Sequence, residues 1–144
     1  MESWIWGLSL IVLTMAVHGT GLVLVALVLD GLLDRITSRD VLKPILIVIS
    51  TVGIFLAALH VLEAGLWAAV YWWVGAINTP SEAILYSVDS ISTRGDSGLA
   101  LERHWQMMGA LEAVDGMLLF GISTACIFAF LQRYWSILHI QRPS

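Results

Sequence analysis

The sequence predicts an all-α integral membrane protein with three transmembrane helices, plus a short helix and polar loop that re-enter the membrane without crossing it. The first observation is composition: of 144 residues, 58% are hydrophobic and only 12% are charged, whereas soluble domains are usually about 25% charged. The second is the presence of three long apolar runs. With no basic run or stripe, the chain also offers no surface for nucleic acid.

The first predicted span runs from Trp4 to Leu29 and carries no Asp, Glu, Lys or Arg. It exceeds the roughly 20 residues that a helix needs to cross the hydrocarbon core. Glu2 stands where a signal peptide would have basic residues, and the run is longer than the hydrophobic part of a signal, so no cleavable signal is expected. A polar hairpin over Asp30–Asp40 follows.

The second predicted span begins near Pro44 and ends at about Val74, in a group of aromatic residues typical of a membrane interface: Trp67, Tyr71, Trp72 and Trp73. The third runs from about Trp105 to Trp135. We therefore divide the chain into an N-terminal helix and hairpin (1–40), a central unit (41–135) and a short polar tail (136–144).

Basic residues predict the orientation of the chain. Arg94 and Arg103 fall on one side of the predicted membrane, and five fall on the other: Arg35, Arg39, Lys43, Arg133 and Arg142. Because Lys and Arg favour cytoplasmic loops, the hairpin and the C-terminus are expected in the cytoplasm. The N-terminus and the loop before the third span are then outside.

The polar segment between the second and third spans has the features of a re-entrant helix and loop. Thr79, Pro80 and Glu82 predict a sharp helix start, with Thr79 as N-cap and Pro80 in the first turn. A helix over Pro80–Ser92 would be roughly 20 Å long, too short to cross the membrane. Its C-terminal dipole would favour a cation, and its loop must face protein or a water-filled cavity.

Five ionisable residues lie inside the predicted spans, where such groups are costly and usually mark function or a partner: His18, His60, Glu63, Glu112 and Asp115. His60 and Glu63 are three residues apart, as are Glu112 and Asp115, so each pair shares a helix face. A metal site is one interpretation. We favour the other, in which the groups satisfy one another and the loop backbone, because nothing in the sequence sets ligand geometry. No metal, cofactor or enzymatic site is therefore expected.

The order of these elements over residues 41–133 resembles the pore domain of small bacterial potassium channels, with one extra N-terminal span. In the outer helix the family pattern H-x-x-E-x-x-x-W-x-x-x-Y and its following Gly match His60, Glu63, Trp67, Tyr71 and Gly75. In the pore helix the family's A-x-Y-F-S start resembles Ala83, Leu85, Tyr86 and Ser87. In the inner helix the family's W-R-L-L-G-x-L-E-A stretch resembles Trp105 and the run GALEAVDGMLLFGISTA, residues 109–125.

The filter-like loop differs from the family's T-T-V-G-Y-G-D. Thr93 and Gly95 match, and the differing positions are Ser92 for the first Thr, Arg94 for Val, Asp96 for Tyr, Ser97 for the second Gly and Gly98 for Asp. Potassium filters replace the hydration shell of the ion with successive backbone carbonyls, and Ser tolerates the backbone conformation of the second Gly poorly. The loop therefore predicts weak or altered potassium selectivity.

The resemblance implies a homotetramer in the lipid bilayer of a bacterial inner membrane, with a central pore for monovalent cations. Two alternatives stay open: a non-conducting assembly or regulatory protein, and an anion-permeable pore with Arg94 facing the axis. We expect Arg94 to be buried and paired with Asp89 or Glu112, since acidic residues lie within reach. Gly116 and Gly121 are candidate hinges. Glycines in membrane helices more often allow close helix packing, which is therefore the favoured role.

Overall fold

The computed structural model describes residues 1–33 and 42–140, which form four helices and, within those ranges, no strand. They are α1 (Glu2–Leu33), α2 (Leu42–Trp73), α3 (Pro80–Ile91) and α4 (Gln106–Ile140). Helices α1, α2 and α4 are each long and apolar enough to cross a membrane. The all-helical class and the three candidate spans are thus confirmed. Residues 34–41 of the predicted hairpin region, with Arg35 and Arg39, and residues 141–144 of the tail, with Arg142, lie outside the described residues.

A glycine ends α2 and turns the chain towards α3. Gly75 has a φ of 73°, a left-handed conformation that glycine adopts without steric penalty. The backbone N–H of Gly75 donates to the carbonyl of Trp72 at 3.2 Å, and the N–H of Ala76 donates to that of Tyr71 at 2.9 Å. These two bonds form a Schellman motif, which satisfies carbonyls at the end of the helix.

Helix α3 begins as the sequence predicts. The Thr79 hydroxyl oxygen accepts a hydrogen bond from the backbone N–H of Glu82 at 3.3 Å, and Pro80 occupies the first turn. The Glu82 carboxylate accepts from the hydroxyl of Thr79 at 2.7 Å. This N-cap fixes where the 12-residue helix starts.

The helices pack so that α3 lies against α2 and α4, while α1 contacts α4 and α2. Within the described residues, α1 and α3 make no contact. The larger apolar cluster includes Trp67 and Tyr71 of α2 together with Ala83 and Ile91 of α3, all buried. Large apolar side chains are exposed on the outward faces of all three long helices, for example Val12, Ile54, Val61, Met117 and Phe128.

Glycines on α4 allow α3 to approach closely. A Cβ added at Gly116 would overlap the backbone carbonyl of Ile91, and one added at Gly109 would overlap the hydroxyl of Tyr86. Gly121 has no atom within 4 Å of such a Cβ. Helix α4 continues through both Gly116 and Gly121. Gly116 therefore serves close packing here, and a hinge at either position stays a prediction.

Candidate functional site

The five ionisable residues predicted within the spans are brought into one buried polar column between the helices. Glu63, Glu112, Asp115 and His18 have no exposed surface. We use the name polar column for these residues, His60 and the side chains that bond to them: Thr14, Trp67, Tyr71, Ser87 and Ser123. Because an unpartnered charge is costly in a buried position, each ionisable group of the polar column needs a hydrogen-bond or ion-pair partner.

At one end of the column lies a histidine cluster made of His18, His60, Glu63 and Ser123. His18 Nδ1 lies 2.8 Å from Glu63 Oε1, and His60 Nδ1 lies 3.2 Å from Glu63 Oε2. The Nε2 atoms of the two histidines lie 2.9 Å and 3.2 Å from Ser123 Oγ. The His60 ring also stacks on Phe120, with ring centroids 4.2 Å apart. The cluster therefore joins α1, α2 and α4.

Asp115 occupies the middle of the column. Its Oδ2 atom accepts hydrogen bonds from Thr14 Oγ1 at 2.7 Å and from Trp67 Nε1 at 2.9 Å. Thr14 precedes His18 by one helical turn on α1, and Trp67 follows Glu63 by one turn on α2. Asp115 thus continues the column from the histidine cluster.

Glu112 joins the short helix α3 to the two long helices beside it. One carboxylate oxygen accepts from Tyr71 OH at 2.8 Å, and the other from Ser87 Oγ. Ser87 Oγ also lies 2.7 Å from the backbone oxygen of Ala64 in α2. Tyr71 and Ser87 therefore bond to the two carboxylate oxygens of Glu112. Of the two acids that the sequence offered as partners of Arg94, Asp89 is the one that it contacts.

Asp89 holds the loop that follows α3. Its Oδ1 atom accepts from Arg94 Nε at 2.5 Å, and its Oδ2 accepts from the backbone N–H of Ser97 at 2.9 Å. Burial would raise the pKa of the Asp89 carboxyl, but the hydrogen bonds from Arg94 and Ser97 outweigh it, and the pKa is lowered. The hydrogen bond to Asp89 raises the pKa of Arg94.

Arg94 pairs with Asp89, but its side chain is not buried in the single chain. Its burial in a tetramer stays a prediction. The Arg94 side chain is 61% exposed, whereas that of Asp89 is 4% exposed. The guanidinium is therefore held at one edge and open to its surroundings at the other.

The backbone of the filter-like loop turns repeatedly through the left-handed region. Thr93 has a φ of 58°, and Gly95 and Gly98 have φ values of 66° and 69°. A non-glycine residue in this region is uncommon and is retained only where its surroundings hold it. The N–H of Thr93 donates to the carbonyl of Ser90 at 2.8 Å, and the N–H of Arg94 donates to that of Asp89 at 3.0 Å. Residues 93–96 and 98 are exposed in the single chain.

Sequence reasoning found the ionisable members of the column but missed the neutral groups that bond to them, chiefly Thr14, Ser87 and Ser123. One signal was present: Thr14 and His18, and likewise Glu63, Trp67 and Tyr71, recur at intervals of four residues. Such spacing places polar and aromatic groups on one helix face. It does not show which face of a neighbouring helix they meet.

Comparisons with family models, with curated proteins and with solved structures find no match to this chain.

Proposed function

We propose that the chain is one subunit of a membrane pore, a homotetramer in which the Thr93–Gly98 loops of four copies surround a path for monovalent cations. The observation that carries the proposal is the way in which Asp89 holds this loop. A buried carboxylate bonds to both the side chain of Arg94 and the backbone N–H of Ser97, so the intervening backbone is constrained while its side chains stay exposed.

The anchoring of α3 supports the same proposal. This helix is too short to cross a membrane, yet it packs between two helices that are long enough. Ser87 and Glu112 join it to α2 and α4, and Gly116 allows its last turn to touch α4. In a re-entrant helix held in this way, the C-terminal dipole would favour a cation at the loop.

The exposed apolar surface supports an assembly in lipid. Met117 and Phe128 on α4 and Ile84 and Leu85 on α3 are all more than 40% exposed in the single chain. Surfaces of this kind face lipid or another subunit. The number four comes from the resemblance to small potassium channels, and the orientation, with the N-terminus outside the cytoplasm, from the distribution of basic residues. We place the protein in a bacterial inner membrane on the same basis.

The filter-like loop supports weak or altered potassium selectivity. Arg94, Asp96 and Ser97 replace residues that a potassium filter uses to present successive carbonyls. The exposure of the Arg94 side chain favours a second candidate, an anion-permeable pore in which four guanidinium groups face the axis. The bond to Asp89 counts against this second candidate, because it offsets the positive charge.

Ion flux in liposomes tests the proposal. Purified protein is reconstituted, and potassium, sodium and chloride flux is followed together with reversal potentials. We expect cation flux with little discrimination between potassium and sodium, and we expect Asp89→Asn to reduce it. The matched control is Glu2→Gln, an exposed acid at the start of α1. Chloride-selective reversal potentials would favour the anion pore, and no flux from correctly assembled protein would favour a non-conducting assembly or regulatory protein.

A further inference from the structure

The histidine cluster contains three metal-ligating side chains from two helices. His18 comes from α1, and His60 and Glu63 come from α2; each offers one ligand atom, and these atoms all lie within 4.8 Å of one another. His18 and Glu63 are fully buried, and the His60 side chain is 11% exposed. Two imidazole nitrogens and a carboxylate oxygen form a ligand set that binds zinc and related divalent ions.

Two atoms in the cluster lack a hydrogen-bond partner. Within the described part of the chain, neither His60 Nδ1 nor Glu63 Oε2 makes a hydrogen bond, although both are buried. They lie 3.2 Å apart, but without the alignment of a hydrogen bond. Buried polar atoms are seldom left unpaired, so a bound species between them would account for both.

Ser123 contacts both histidines on the side of the ring away from Glu63. Its hydroxyl oxygen lies within hydrogen-bond distance of the Nε2 atoms of both His18 and His60, and it has two lone pairs with which to accept. If each Nε2–H donates to Ser123, both Nδ1 atoms present lone pairs towards Glu63. Metal-binding histidines are commonly oriented in this way by an oxygen acceptor on the other ring nitrogen.

We propose that His18, His60 and Glu63 bind a divalent transition-metal ion of the zinc class, with Ser123 orienting both imidazoles. Two ligands of a tetrahedral zinc ion lie about 3.3 Å apart. The separation of 3.2 Å between His60 Nδ1 and Glu63 Oε2 matches this value, and His18 Nδ1 lies 2.8 Å from the other carboxylate oxygen, Oε1. Calcium and magnesium fit less well because they prefer all-oxygen sites.

Asp115 is a second buried acidic residue beside the site. It is buried, and its Oδ1 atom has no hydrogen-bond partner among the described residues. Its Oδ2 atom is tied to Thr14 and Trp67, one helical turn from His18 and Glu63 respectively. Together the Glu63 and Asp115 carboxylates can balance a divalent cation, which lowers the penalty of placing that charge in an apolar interior.

The bound ion would fasten α1 to the rest of the chain, since His18 is the ligand from α1 and the other two come from α2. Metal binding at this cluster would be a property of each single chain and would not depend on ion conduction. It would give the N-terminal helix a role that a two-helix pore unit lacks.

The number of zinc ions bound per chain tests the proposal directly. Full-length protein in detergent is stripped with a chelator, loaded with Zn²⁺, separated from free metal and analysed by elemental mass spectrometry. We expect about one zinc ion per chain, and a tetrahedral d–d absorption band when Co²⁺ replaces Zn²⁺. His60→Gln and Glu63→Gln should each lower the bound zinc at least tenfold. Ser123→Ala keeps the ligands and should weaken the affinity by about 10- to 100-fold.

The matched control is His104→Ala, because His104 is exposed and lies outside the cluster; its zinc content should equal that of the wild type. His60→Gln is the decisive variant, since His60 lies at the edge of the cluster and its replacement is least disruptive. Folding of each variant is checked by size-exclusion chromatography and helix content. Less than one zinc ion per ten wild-type chains, or a folded His60→Gln protein that binds as much zinc as the wild type, would overturn the proposal.

Discussion

The Asp89 carboxylate bonds to Arg94 Nε at 2.5 Å through one oxygen and to the backbone N–H of Ser97 at 2.9 Å through the other. One buried acid in the last turn of α3 therefore bonds to both ends of the Arg94–Ser97 segment of the filter-like loop. In the proposed resemblance to potassium channels, Asp96 takes the place of the aromatic residue that braces the filter. We therefore expect the geometry of the loop to depend on the pair formed by Asp89 and Arg94.

Arg94→Ala should destabilise the assembled protein, because Asp89 loses the guanidinium that bonds to its buried carboxylate. Arg94→Lys should restore only part of the stability, since an ammonium group matches the guanidinium geometry poorly. Thermal unfolding of the oligomer and cation flux are measured on the same preparations. Unchanged stability with increased cation flux for Arg94→Ala would instead indicate that Arg94 faces the axis.

The Asp89 pair should make the loop sensitive to acid. The pKa of Asp89 is lowered from its ordinary value of 3.8, so the pair contributes stability above that value and loses it as pH falls through the lower folded-state pKa. The difference in melting temperature between wild type and Asp89→Asn should therefore be constant above ~pH 5 and shrink at lower pH. A difference that grows on acidification would contradict this assignment.

Gly116→Ala should destabilise the fold by about 1–3 kcal/mol, the usual range for overpacking, because the new Cβ would overlap the backbone of Ile91. Gly121→Ala is the matched control on the same helix, with open space around the added Cβ. It should leave stability unchanged or raise it by up to about 1 kcal/mol through helix propensity. Thermal unfolding in detergent compares the two, and equal losses would count against close packing at Gly116.

Ser87→Ala should loosen α3 from its neighbours. The substitution removes the hydroxyl that donates to Glu112 and lies 2.7 Å from the backbone oxygen of Ala64, and a buried acceptor left unsatisfied costs about 1–3 kcal/mol. The control is Ser50→Ala, an exposed serine on α2, which should have little effect. Protease sensitivity of the 79–99 segment and thermal unfolding provide the measurements; a resistant, fully stable Ser87→Ala protein would argue against this anchor.

Topology can be tested with reporter fusions at both ends of the chain. We expect an N-terminal reporter outside the cytoplasm and a C-terminal reporter inside it, because five of the seven basic residues fall on the hairpin and tail side. A cytoplasmic N-terminal signal would contradict the three-span topology or its orientation.

The sequence alone determined the features that depend on local chemistry. Apolar length identified the three long helices, and Thr79, Pro80 and Glu82 identified the start of α3, because hydropathy and capping act within a few residues of chain. The five ionisable residues within the apolar runs could likewise be identified as groups that need partners. The tetramer, the pore and its ion remain predictions.

Only the tertiary structure decided which partners these groups meet. It pairs Arg94 with Asp89 while Glu112 bonds to Tyr71 and Ser87, and it brings His18 of α1 to Glu63 of α2, 45 residues away. Spacing along a helix shows which residues share its face. Contacts between helices depend on how each is rotated and how far it is shifted along its neighbour, and these are set by packing of the whole bundle.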